Sequence, residues 1–184
     1  MAIKMKALSL AVLAVFCSIA AWAADFRQTR DPAWQKERVG TMIVHLLPEF
    51  TMADDLLEVD SVEWVRQHQP TARFGYACGH FRDDTHFDCA ALLRKKSDEK
   101  RARSVVVFQD VLADKPKVVE VFSLDDYPHP DVYLDNLPKG EVHDVAEFRS
   151  FRIPREGFHL FFHGKSSIAF YYTGKSWRHV YTSD

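Results

Sequence analysis

Apolar side chains recur at helical spacing from Arg30 to about His68, and after Pro70 the period drops to two. In the first stretch the apolar positions are Trp34, Val39, Met42, Ile43, Leu46 and Leu47. Asp31-Pro32 precedes all of them as an N-cap acid with proline at the first helical position. Pro48 interrupts the pattern. A second helix is predicted through Leu56, Leu57, Val62, Trp64 and Val65, with Asp60 or Ser61 capping its better-formed half and Gln69-Pro70 ending it.

Alternation then predicts strands over 73–79 and 88–93, on either side of an acidic stretch. The charge run KKSDEKRAR at 95–103 reads as a solvated turn. Residues 104–111 and 117–123 are β-branched and apolar, and LADKPK between them is a hairpin signal. Residues 125–140 are rich in Asp, Pro, Asn and Gly and are predicted as a long loop of the kind that carries recognition, presenting Tyr127, His129, Asp131 and Tyr133. At the C-terminal end FHLFFH, SIAFYY and WRHVYT are separated by two Gly-Lys-Ser turns, which predicts a three-stranded antiparallel meander. The expected fold class is α+β: two N-terminal helices packed on a mainly antiparallel sheet of about six or seven short strands.

The first 23 residues carry the three parts of an export signal. Lys4 and Lys6 make the positive start, Leu8 to Ala20 the apolar run, and Ala21-Trp22-Ala23 the cleavage site. The run is shorter than the roughly 20 residues that span a bilayer. The expectation is a signal peptide at 1–23, a single domain at 24–184, no membrane span after cleavage, and a periplasmic address. Cleavage takes two lysines and no acid, leaving 22 bases against 26 acids. A chain with that balance lacks the basic footprint nucleic acid requires; it permits a basic protein partner.

An exported chain sees an oxidising compartment, so Cys78 and Cys89 are expected to pair, while Cys17 leaves with the signal. Between the pair lies GHFRDDTHFD, whose polar groups invite a metal reading. A calcium loop would place oxygen donors at 80, 82, 84 and 88; those positions hold His80, Arg82, Asp84 and Asp88. Arginine ligates no metal, and its guanidinium can fill the ion's place by pairing with Asp84 or Asp88. The favoured reading is a cofactor-free turn held by that pair and a disulfide. The metal alternative uses His80, Asp84, His86 and Asp88, with histidine favouring zinc over calcium.

Other templates fail on spacing. A phosphate loop needs a glycine five residues before its Gly-Lys, where this chain has His159 and Ala169. No G-x-S-x-G and no H-E-x-x-H occurs.

Two stretches share a resemblance. GHFRDDTHFDCAALL resembles the G-D-F-N-G-D-G-x-x-D-x-A-x-L-L signature of FG-GAP or VCBS-type repeats, through Gly79, Phe81, Asp84, Asp88, Ala90, Leu92 and Leu93. The closing IAFYYTGKSWRHVYTSD is similar to the end of small exported bacterial proteins of unknown function that carry one copy of that signature, through Tyr171, Tyr172, Gly174, Ser183 and Asp184. The resemblance implies export and a periplasmic setting. It implies a structural turn at the motif, because one copy cannot build a propeller.

The functional expectation is a non-catalytic binding or inhibitor protein, in its sharpest form an immunity protein against a cell-wall-targeting effector. A metal-dependent hydrolase built on the 80–88 loop is the first alternative. A structural envelope-associated accessory protein is the second.

Overall fold

The Asp31 carboxylate accepts the Ala33 N–H at 3.0 Å, and helix α1 runs over Pro32–Leu46 as the Asp-Pro start requires. The computed structural model describes residues 29–98, 101–127 and 131–183. The signal segment and His129 therefore lie outside the described residues. The chain divides into two units, Met1–Lys36 and Glu37–Asp184, and all the strands belong to the second.

Helix α1 buries Val39, Met42 and Ile43. Arg38 donates to the Val111 and Ala113 carbonyls at 2.8 and 3.3 Å, tying the helix to a distant strand connection. The chain does not pass directly into a second helix. Phe50–Met52 forms strand β1, because Pro48 has stopped the helix and an edge downstream needs a partner. Helix α2 follows over Val59–His68, with Glu58 in the cap position and no side-chain cap bond. The expected cap from Asp60 or Ser61 is displaced, since both residues are already inside the helix. Gln69 closes α2 through its N–H to the Val65 carbonyl.

Strands β2 (Tyr76–Gly79), β3 (Asp88–Lys95), β4 (Ser104–Gln109) and β5 (Lys117–Ser123) join β1 in a five-stranded antiparallel sheet. β1 and β2 share one edge of β3, β1 opposite residues 93–95 and β2 opposite residues 88–91. Strand β6 (Val132–Leu137), hairpin strands β7 (Gly140–Asp144) and β8 (Arg149–Ile153), and β9 (Gly157–Phe162), β10 (Ser166–Tyr172) and β11 (Trp177–Ser183) complete the chain. The second sheet has the order β11-β10-β9-β6, all antiparallel. Its last three strands are the predicted meander, turning at Gly164 and Gly174, both with positive φ (69° and 89°).

The α+β class stands, but its arrangement differs from expectation: the described residues form eleven strands in three sheets instead of one sheet of about six or seven strands. The segment read as a loop over 125–140 contains a strand. Val132 and Leu134 face the core between the sheets, while Tyr133 packs on the opposite face with Leu57, Val65 and Ala72. Burial on both faces hides the alternation that marks a one-sided strand. Tyr133, only 2% exposed, is a core residue and not a presented one.

The main core lies between the two large sheets. Ala77, Ala90, Leu92, Val105 and Val107 meet Leu134, Phe158, Leu160, Ile168 and Phe170. Phe158 and Phe170 stack at 4.9 Å between centroids. Gly157 is obligatory beside them, since a Cβ there would run into the Phe170 carbonyl oxygen. On one side a bridge from Phe74 to Leu134 joins the sheets. On the other, β5 meets β10 and β11 through side chains, with the Phe122 ring 5.6 Å from both Phe170 and His179. The outer face of the second sheet is covered twice, by the α2 segment over Tyr133 and Phe161 and by the β7–β8 hairpin over Ala169 and Val180.

Candidate functional site

The stapled turn between β2 and β3 follows from the pairing register. Cys78 lies directly opposite Cys89, and the two form a disulfide. The ladder ends at Gly79 opposite Asp88, leaving residues 80–87 to close the turn.

Asp88 is fully buried, and Arg82 reaches it with two parallel bonds, Nε to Oδ2 and Nη2 to Oδ1, both 2.9 Å. This fork is the strong form of the carboxylate–guanidinium pair. The Asp88 bonds raise the Arg82 guanidinium above its ordinary value. The Asp110 N–H adds a third bond to Asp88 at 2.8 Å. The cation expected in the ion's place is present, and the acid it takes is Asp88.

Asp83 builds the turn's tip. It accepts the Thr85 N–H and hydroxyl (2.9 and 2.7 Å) and the His86 N–H (2.9 Å). The His86 ring Nδ1 lies 2.7 Å from its other oxygen. Hydrogen bonding, led by the Thr85 hydroxyl, holds the Asp83 carboxyl well below the usual carboxylate range. His80 donates from Nδ1 to the His86 carbonyl (3.0 Å) and from its backbone to Glu156 (2.9 Å). Gly79 makes the Glu156 approach feasible, since a Cβ there would sit 2.6 Å from its carboxylate. Asp84 points outward, 92% exposed, and accepts from Arg155 at 2.7 Å.

The four residues of the metal alternative are thus drawn apart. Asp88 faces inward to Arg82, Asp84 outward to Arg155, His86 to Asp83, and His80 to the loop backbone. Among the described residues no group of three or more His, Cys, Asp or Glu side chains is placed to hold an ion. Arg155 and Glu156, which complete the turn from the β8–β9 connection, lie some seventy residues away in sequence, and no local signal marks them.

The predicted recognition residues that are described, Tyr127, Asp131 and Tyr133, are engaged within the fold. Tyr127 packs its ring against Phe122 and Phe162 (5.6 and 5.1 Å) and shares a 3.3 Å hydroxyl contact with Tyr181. That bond, then burial, pushes the Tyr127 hydroxyl up to about 12. Asp131 accepts the His163 N–H through its carbonyl at 2.8 Å. Tyr133 donates to Gln69 at 3.0 Å, and burial pushes it up to about 12.

A second feature carries no sequence motif. A cleft of about 660 Å³ opens beside α2, lined by Asp54, Asp55, Leu57, Val59, Val62, Glu63, Arg66, Gln67 and Phe74. The volume lies in the range of ligand-sized sites. One wall depends on Gly75, where a Cβ would sit 2.6 Å from that of Asp54. The readable signal was the run DDLLEVDSVE at 54–63, which sets five acids among four aliphatic residues without a base.

No helix among the described residues is long and apolar enough to cross a membrane. No family model matches the chain, and comparison with curated proteins and with solved structures finds no significant match.

Proposed function

We propose that this chain is a periplasmic, non-catalytic binding or inhibitor protein, in its sharpest form an immunity protein that blocks a cell-wall-targeting effector. One observation carries the reading: the turn over 79–88 is preorganised. A disulfide closes its base, a buried ion pair fills its centre, and Asp83 binds its own tip. Preorganisation lowers the ordering cost of association. A nucleophile or water-activating metal centre needs groups converging on a reacting atom; here the charged groups are consumed in separate pairs. Asp84 stands outward in a solvent-exposed pair with Arg155, the weak kind of pair that a basic partner's side chain can replace, and the Asp83–His86 tip is turned outward beside it. The disulfide fits an oxidising compartment.

Affinity capture from periplasmic extract, comparing the wild type with Asp84→Lys, tests this reading. The expected result is one partner retained by the wild type and lost, by about tenfold or more in affinity, with the variant. A divalent ion bound at one equivalent, whose removal by EDTA lowers the melting temperature, would overturn it in favour of the hydrolase.

A further inference from the structure

Three rings and one acid meet where α2 crosses the end of β9. Trp64 on α2 stands 46% exposed. The His68 ring, one helical turn on, stacks against it at 4.3 Å with 16° between planes. The His163 ring approaches from the end of β9 at 5.3 Å and a steep 66°. His68 donates from Nδ1 to the Trp64 carbonyl at 2.8 Å, which leaves Nε2 as an acceptor on the neutral ring. Asp131 faces His163 one step beyond the β6–β9 ladder, its carbonyl accepting the His163 N–H. The Asp131 side chain is not so served. Its Oδ1 is buried, and no donor among the described residues reaches it. A buried carboxylate oxygen without a donor has lost its hydration for nothing, and native folds keep few such groups.

We infer that this corner binds a guanidinium group, Asp131 Oδ1 accepting one of its N–H bonds and the exposed Trp64 indole contacting its plane. The ligand must bring a donor to the stranded oxygen and a positive charge to balance the carboxylate. It must also leave water for a surface of aromatic rings. A guanidinium meets all three conditions, being planar, delocalised, weakly hydrated and prone to stack on aromatic faces. An ammonium is a compact, strongly hydrated charge and gives up more on entry. A neutral hydroxyl would satisfy the oxygen and leave the charge unbalanced, and an anion would be repelled by it. A free guanidine and an arginine side chain of a polypeptide carry the same chemistry. The site lies apart from the stapled turn and does not depend on it.

The test is a titration of the whole chain, followed by amide and indole chemical shifts, with methylguanidinium, with a blocked glycine–arginine–glycine peptide, and with that peptide carrying citrulline or lysine instead of arginine. The arginine peptide is expected to bind at about millimolar strength or better. Its shifts should centre on the Trp64 indole, His68 and His163. Citrulline keeps the shape without the charge and should bind about tenfold more weakly, with lysine in between. Equal affinity for methylguanidinium assigns the site to a free guanidine; tighter binding of the peptide assigns it to an arginine side chain. Asp131→Asn should lower the affinity about tenfold, yet the unliganded variant should melt no lower than the wild type, because the fold gives that carboxylate oxygen no donor to lose. No binding of either guanidinium probe, equal binding of the citrulline peptide, shifts centred elsewhere, or an Asp131→Asn variant with unchanged affinity or a lowered melting temperature would overturn the assignment. Asp84→Lys should leave the titration unchanged, so failure at the stapled turn and failure at this corner are told apart.

Discussion

Asp88 occupies the most demanding environment of any acid in the described chain. It is fully buried, and its charge is tolerable only because Arg82 and the Asp110 N–H answer it. Truncation of the cation would leave that charge stranded. Arg82→Ala is therefore expected to cost about 3–5 kcal/mol, read by urea unfolding at neutral pH. The double replacement Arg82→Leu with Asp88→Leu should cost less than the single one, because no charge is then left alone. A single variant losing under about 1 kcal/mol would show the pair to be dispensable. Residue types alone showed that Arg82 could stand in for a cation. They left Asp84 and Asp88 equivalent, and the strand register separates them by placing Asp88 in the ladder opposite Gly79.

Among the elements, the β7–β8 hairpin departs furthest from the chain's surface pattern. It has no Asn-Gly or Gly-Gly turn, so the signal that marked the meander is missing. Buried Asp144 replaces it by accepting the Ala146 and Glu147 N–H groups at 3.1 and 3.3 Å. Phe148 then takes a left-handed backbone (φ 51°) with its side chain 87% exposed. Glycine adopts this conformation without the Cβ clash. Phe148→Gly should raise stability by about 0.5–1 kcal/mol, the strain relieved less the greater freedom glycine has when unfolded. Thermal unfolding checks this, and a lowered midpoint would mean the ring packs where the structure leaves it bare. The β9–β11 meander was legible because each strand is bounded by a glycine turn. β6 was not, because its Asp, Asn and flanking prolines read as loop while both its faces are buried.

At the scale of the molecule, covering the second sheet's outer face creates a pH dependence. His159 lies on that face, and burial lowers it to about 4. The folded state then binds fewer protons than the unfolded chain between about pH 6.5 and 4. Stability is retained above about 6.5 and falls as pH drops through that window. At pH 5 the loss from this group is at most about 2 kcal/mol, discounted by the ring's partial exposure. Asp135, its register partner on β6, is raised by burial and acts in the opposite sense, favouring the fold as it protonates. His159→Gln should lose less stability than the wild type between pH 7 and pH 5 in paired urea titrations, and identical losses would remove the assignment. The sequence by itself determined what neighbours along the chain dictate: the Asp-Pro helix start, the glycine-punctuated meander, the two cysteines poised to pair, and an arginine among acids. Only the tertiary structure decided how the one expected sheet became three, which acid the arginine takes, why Tyr133 is core, and where a cleft opens beside α2. Those outcomes depend on which distant surfaces come to face one another, and side-chain period and turn chemistry carry no record of that.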